Sequence, residues 1–199
     1  MAEKVKLRRV CVFCGSSPGA RPEYADAARA LGSVLADAGL GLVYGGGSVG
    51  LMGVLADRVL ELGGDVIGVI PQALMDLDVG HRGLPDLRIV NSMHERKALM
   101  ADLADAFVML PGGLGTLDET FEILTWAQLG LHGKPCGLLN VSGYFDALLA
   151  FLDGAVCERF LRPEHRALLP VANTAPELLQ QLMVFEPPAI EKWIDRNPV

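Results

Sequence analysis

Val66-Ile67-Gly68-Val69-Ile70 is apolar at every position, with no alternation between a wet and a dry face. A strand of that kind has to be covered on both sides, which is the situation in a parallel sheet held between layers of helices. Working outward, short apolar runs at about 8–14, 41–44, 87–90, 106–110 and 135–139, and a last one near 168–172, read as further strands. Segments with helical spacing fall between them, at about 22–38, 49–63, 93–104, 116–130, 143–158 and 175–184. This rhythm predicts an α/β fold, a doubly wound, mainly parallel sheet with helices on both faces.

The 199 residues suit a single α/β domain over 1–185, followed by a tail over 186–199 that contains Glu186-Pro-Pro188 and Trp193. Such a tail packs on the body or on a neighbouring subunit. A net charge of -7, with no long Lys/Arg run, argues against sequence-independent nucleic-acid binding, which needs a positive surface to displace counterions. A single phosphate needs only a local pocket of donors, so a nucleotide ligand stays open. Cys11-x-x-Cys14 lies inside an alternating apolar run, with no second pair and no histidine nearby, so it reads as two core thiols and not as a metal or redox site. Four unpaired cysteines suit a reducing cytoplasm. The uncharged stretch Ala38 to Ala56 is long enough to span a bilayer, but its glycines speak against a membrane helix, and a soluble, cytoplasmic protein is expected.

Ligands of such sheets sit beyond the carboxyl ends of the strands. The segments to read are therefore Gly15-Ser16-Ser17, Gly45-Gly46-Gly47, Pro71-Gln72, Asn91-Ser92 and Pro111-Gly112-Gly113-Leu114-Gly115-Thr116. Gly45-x-Gly47-x-x-Gly50 matches the dinucleotide fingerprint, and Asp65 lies about twenty residues on. That acid precedes its strand, however, and so falls at the wrong sheet edge for a ribose contact. The second loop, Gly112 to Thr116, runs from a strand into a helix, where backbone N–H groups and the helix N-terminus favour an anion. Neither loop ends in the Gly-Lys-Ser/Thr of a triphosphate site, which suits a monophosphate better.

Two charged residues stand out. Helical winding from Ser92 places Arg96 inside the apolar stripe of Met93, Leu99, Met100 and Leu103, while Glu95 and Asp102 take the other side. A cation in a first turn also opposes the helix dipole, at a cost of about 0.3–1 kcal/mol. Arg96 therefore needs a facing anion: a structural carboxylate, a ligand phosphate or a catalytic carboxylate. Glu119 admits two readings. Thr116-Leu-Asp-Glu119 fits a capping box, which would make it a helix cap; a carboxylate just after a phosphate cradle is also placed to act on the ribose of a bound nucleotide.

Gly45-Gly-Gly-Ser-Val-Gly-Leu-Met-Gly53, Met93-His-Glu-Arg-Lys97 and Pro111-Gly-Gly-Leu-Gly-Thr-Leu-Asp-Glu119, in this order, resemble the LOG (Lonely Guy) family of cytokinin riboside 5′-monophosphate phosphoribohydrolases, long mislabelled as lysine decarboxylases. The resemblance covers roughly residues 8–184. It implies a Rossmann-like sheet, a homodimer, a small-molecule nucleotide substrate, no cofactor and no metal. It also implies hydrolysis of the N-glycosidic bond of an adenosine or N6-modified adenosine 5′-monophosphate. The family's catalytic arginine and glutamate fall on Arg96 and Glu119, its phosphate loop on Gly112, Gly113, Leu114, Gly115 and Thr116, and further substrate contacts on Lys97 and Thr125. Asp78 stands where many members carry Glu. With the strand-end residues Ser16, Gly46 and Gly47, these make up the expected site. The rival readings are a nucleotide sensor or carrier without catalysis, and a pyridoxal phosphate decarboxylase, for which Lys97 and Lys134 offer no recognisable setting.

Overall fold

The computed structural model describes residues 7–77 and 80–187. Seven strands form one sheet: β1 (Arg9–Phe13), β2 (Gly41–Tyr44), β3 (Val66–Pro71), β4 (Asp86–Val90), β5 (Ala106–Met109), β6 (Cys136–Leu139) and β7 (Val171–Ala172). Their order is β4-β3-β2-β1-β5-β6-β7 and every neighbouring pair is parallel. The strand order runs one way from β1 through β2 and the other way from β5, so the crevice of a doubly wound sheet opens between β1 and β5.

Inside the edge strands β4 and β7 the sheet is dry on both faces, as its apolar strands require. Val10, Val12 and Cys14 point to one side with Leu42, Tyr44 and Val108; Cys11 and Phe13 point to the other with Val43, Ile67 and Phe107. The first side is covered by α1 (Pro22–Asp37), α2 (Gly50–Glu61) and α8 (Ala175–Met183), through Leu31, Leu35, Leu51, Leu55, Leu178 and Leu182. The second is covered by α4 (Met93–Leu103) and α5 (Leu114–Gln128), through Met100, Ala101 and Ile123. The helix α6 (Asp146–Cys157) packs Leu148, Leu149 and Leu152 at the edge of a smaller cluster under β5 and β6, yet none of its residues is fully buried.

The strand and helix pattern follows the sequence closely, with four differences. Short helices at α3 (Gln72–Met75) and α7 (Pro163–Arg166), and a 3₁₀ turn at Val141–Gly143, occupy stretches with no periodic signal. The last strand shrinks to Val171–Ala172. Met93 is 42 % exposed, so the apolar stripe of α4 is narrower than its sequence suggests. Helix α5 begins at Leu114, two residues ahead of Thr116. The segment Ala38 to Ala56 divides between β2 and α2, and among the described residues no helix is long and apolar enough to cross a membrane. Asp78 lies outside the described residues, as do Pro188 and Trp193 of the tail.

Candidate active site

Helix α4 starts at Ser92, whose hydroxyl accepts from Glu95 N at 3.1 Å; Glu95 in return accepts from Asn91 N at 2.8 Å. Reciprocal capping of this kind fixes the first turn, and a Ser cap alone contributes about 1 kcal/mol. The next residue, Arg96, is thereby aimed inward and is only 7 % exposed. Its Nε donates to Val69 O at 3.0 Å and its Nη1 to Glu119 Oε1 at 2.7 Å. The guanidinium thus bridges the carboxyl end of β3 and the second turn of α5.

Gly45 lies directly under it. A β-carbon at position 45 would collide with Arg96 Nη2, so the close approach of the arginine requires glycine there. Gly50, at φ +61°, is pressed against the Ser16–Ser17 peptide in the same way. The three glycines of the fingerprint therefore have separate tasks: Gly45 seats Arg96, Gly47 bridges to Gly80, and Gly50 lets α2 abut the loop after β1. Gly46 and Gly47 are buried, with Gly46 O accepting from His81 N at 2.8 Å, so this loop is a floor and not an open phosphate cradle. Asp65 immediately precedes β3, at the sheet edge opposite this site.

Glu119 is also 7 % exposed. Its carboxylate is taken by Arg96, and Thr116 sits at the third position of α5 instead of its cap, so the capping-box reading of Thr116–Glu119 fails. The N-cap is Gly113, which has no side chain to offer. Leu114, Gly115 and Thr116 consequently present uncapped N–H groups at a helix N-terminus. Gly113, Leu114 and Gly115 are exposed and Thr116 is buried against Gly112. An anion is favoured there by both partial charge and free donors.

Burial raises the pKa of Glu119 above the ordinary carboxylate value, while the charge and hydrogen bond of Arg96 pull it back in part. Behind the pair, burial pushes the Cys11 and Cys14 thiols well up, so both stay neutral core groups. Lys97 turns to α5 as well, with Nζ 3.1 Å from Asp118 Oδ2 and 3.1 Å from Glu122 Oε2. Burial alone would lower its pKa, but the close approach of the Glu122 and Asp118 carboxylates outweighs that and holds it above the usual lysine value. Lys134 is engaged elsewhere, donating to Ala101 O at 2.8 Å.

A cleft of about 290 Å³ opens at the β1/β5 crevice, lined by residues 15–19 and 111–113 with Tyr24, Leu51 and Tyr144. Ser16 is exposed on its rim. Tyr144 was not among the residues expected from sequence, yet its hydroxyl donates to Gly112 O at 2.6 Å and so fixes the peptide at the start of the loop Gly112–Thr116. Extending the strand-end rule to β6 would have reached it. Thr125 does not join Arg96 and Glu119: it donates to Phe121 O at 2.6 Å and lines a separate groove of about 300 Å³ with Phe151, Phe160 and Arg166.

The profile of a family described as "possible lysine decarboxylase" matches residues 52–182. The chain is 56 % identical over 182 residues to a probable cytokinin riboside 5′-monophosphate phosphoribohydrolase of Oryza sativa subsp. japonica, covering 92 % of this chain and 80 % of that one. It is 50 % identical over 184 residues to a cytokinin riboside 5′-monophosphate phosphoribohydrolase of Arabidopsis thaliana, covering 92 % and 85 %. Among solved structures, a molybdenum cofactor binding protein from Rippkaea orientalis superposes with a TM-score of 0.68 at 21 % identity, over 90 % of this chain and 99 % of that one; this likeness is one of fold.

Proposed function

The chain belongs to the LOG (Lonely Guy) family of cytokinin riboside 5′-monophosphate phosphoribohydrolases, and from that premise we propose how its residues divide the reaction. The enzyme hydrolyses the N-glycosidic bond of a cytokinin nucleotide to free base and ribose 5-phosphate. Water adds to C1′ as the C1′–N bond breaks, and the base leaves with the proton that water gives up. Positive charge builds on the sugar in the transition state, so a fixed carboxylate beside it is stabilising. Glu119 supplies that carboxylate. A guanidinium is too weak an acid to donate the proton, so Arg96 orients Glu119 instead.

The substrate phosphate takes the Gly112–Gly113 loop and the uncapped start of α5 that follows it, as far as Thr116, with Ser16 on the facing rim. From Leu114 to Glu119 the helix rises about 7.5 Å, comparable to the span from a phosphate across its ribose. Binding energy from the phosphate then places the sugar against the carboxylate. The observation that carries this reading is the buried Arg96–Glu119 pair, one helical turn beyond an open anion site.

The protein assembles as a homodimer in this reading. Helix α6 and the segment after it leave Phe151 and Phe160 at 69 % and 90 % exposure along one groove, a patch that needs a partner.

The test is to incubate the pure protein with AMP and with isopentenyladenosine monophosphate, then separate the free bases by chromatography. Base is expected from at least the prenylated nucleotide, and Glu119→Ala is expected to abolish its release while still binding nucleotide. Near-normal turnover by Glu119→Ala would rule out the role given to it. Nucleotide binding without base from wild type would favour a carrier.

A further inference from the structure

The loop Gly45 to Gly47 has no side chains with which to fix itself, yet the guanidinium of Arg96 rests directly on it. The chain that follows α3 does the fixing. Gly47 pairs with Gly80 in an antiparallel bridge, and Gly46 O accepts from His81 N at 2.8 Å. The His81 ring adds a third tie. Its Nδ1 lies 3.1 Å from the hydroxyl of Tyr44, the last residue of β2 and the one before Gly45. On the other side of the ring, Nε2 faces Asp57 Oδ1 of α2 at 3.4 Å. Tyr44 is fully buried, and the His81 side chain is 15 % exposed.

These partners decide which ring nitrogen carries the proton. A neutral imidazole has one donor and one acceptor nitrogen, and a carboxylate only accepts. Nε2–H therefore faces Asp57, which leaves Nδ1 to accept from the Tyr44 hydroxyl. The opposite tautomer would set the Nε2 lone pair against the carboxylate. Burial pushes the Tyr44 hydroxyl well above the usual phenol value, and the Asp57 charge adds to this, so Tyr44 keeps its proton and donates it.

Resting on the reading of Arg96 and Glu119 as the catalytic pair, we infer that His81 is a positioning residue: through Tyr44 it ties the end of β2 to α2 and holds the Gly45-to-Gly47 floor on which Arg96 is set. A floor free to drop lets the guanidinium leave Glu119, and a small displacement of that kind costs rate. The phosphate is held at the start of α5, so its affinity should not follow.

Three variants test the tie. Tyr44→Phe removes only the hydroxyl. His81→Gln can keep an N–H toward Asp57 but not the acceptor at Nδ1, whereas His81→Asn keeps that acceptor and gives up Asp57. The control is Ser33→Ala, which takes the hydroxyl that Arg58 Nε meets at 2.8 Å and so loosens α2 from α1 without touching His81. Turnover of isopentenyladenosine monophosphate gives kcat and KM, and calorimetry with ribose 5-phosphate gives affinity at the phosphate end. Tyr44→Phe and His81→Gln should lower kcat by about tenfold or more, with KM and the ribose 5-phosphate Kd moving by less than about threefold. His81→Asn should stay within about threefold of wild type in kcat, and Ser33→Ala should match wild type. Nitrogen-15 NMR at about pH 8.5, above the ordinary imidazole value of about 6.5, should show His81 protonated at Nε2 and bare at Nδ1. The inference is overturned if Tyr44→Phe keeps its kcat, if Ser33→Ala loses as much, or if Nδ1 carries the proton. Should wild type release no base at all, the hydrolase reading falls by itself. The tie is then judged by hydrogen exchange at Arg96 Nε, which donates to Val69 O. That exchange should quicken by about tenfold or more in Tyr44→Phe and not in Ser33→Ala; an unchanged rate in Tyr44→Phe sinks the tie.

Discussion

A guanidinium holds its proton far more tightly than a carboxyl group does, and this asymmetry governs how the buried Arg96–Glu119 pair responds when one member is removed. Losing one partner of a buried pair costs about 3–5 kcal/mol because the other charge is left uncompensated. In Glu119→Gln the stranded charge is a guanidinium and nothing relieves it. In Arg96→Met it is a carboxylate already pushed up by burial and now without its chief opposing cation. Its folded-state pKa then stands further above the unfolded value. A carboxyl raised in this way contributes stability that is complete below its unfolded pKa and is lost as pH rises through the folded one. Arg96→Met should therefore recover stability, relative to wild type, on acidification from pH near 8 to near 5.5. The Glu119→Gln deficit should stay flat across that range. Thermal melts of the three proteins across pH check this, with an initial deficit of roughly 6–12 °C for about 3 kcal/mol at this chain length. An Arg96→Met deficit that ignores pH would show that the carboxylate is not stranded in a dry site.

At the level of elements, the site is made by what the glycine loops permit around them. Gly45 gives up its β-carbon so that Arg96 can lie across the end of β2. Gly45→Ala forces the guanidinium away from Glu119, and a shift of about 1 Å in a reacting group costs on the order of 100-fold in rate. The expected result is a large fall in kcat together with a lower melting temperature, because the buried pair is parted. The control is Gly154→Ala in α6, where a β-carbon meets open space; it should raise stability by about 0.5–1 kcal/mol with turnover intact. Equal losses in both variants would make Gly45 an ordinary packing glycine. These two glycines also show what sequence can and cannot reveal. The burial of Arg96 was legible because helical winding alone puts it among Met100 and Leu103. The task of Gly45 was not, because its contact joins β2 to α4 through a strand order that no local pattern encodes. Thr116-x-x-Glu119 misled for the opposite reason: the spacing is that of a cap, but a loop ending in glycine starts the helix two residues early, and the carboxylate is free for Arg96. Lys97's two carboxylate partners, on a helix beyond the next strand, were hidden in the same way as the task of Gly45. Tyr144 was within reach of the strand-end rule; the four-residue helices α3 and α7 are shorter than any window in which a period is visible.

For the whole molecule, the decisive surface is the one α6 leaves uncovered. A twelve-residue helix with the sequence DALLAFLDGAVC buries no residue fully within its own chain, and Phe160 beside it is 90 % exposed. Thr125 lies in the groove these residues line, and six residues beyond Glu119 it is turned roughly 120° around α5 from that carboxylate. A substrate contact by Thr125, which the family resemblance implies, thus calls for a second copy whose site comes to this groove. Two chains of net charge -7 repel one another, so an apolar contact has to overcome that repulsion, and salt should strengthen the dimer by screening it. Light scattering on the purified protein should give a mass of roughly 42 kDa, twice the chain's 21.2 kDa, that holds or firms up as salt is added. Phe160→Glu with Phe151→Glu should reduce it to a single chain and, if Thr125 serves the neighbouring site, raise KM without loss of the Arg96–Glu119 pair. A wild-type mass of 21.2 kDa at every concentration tested would leave the patch without the occupant assigned to it. A dimer that survives both substitutions would place the interface on another face and remove Thr125 from the substrate's reach.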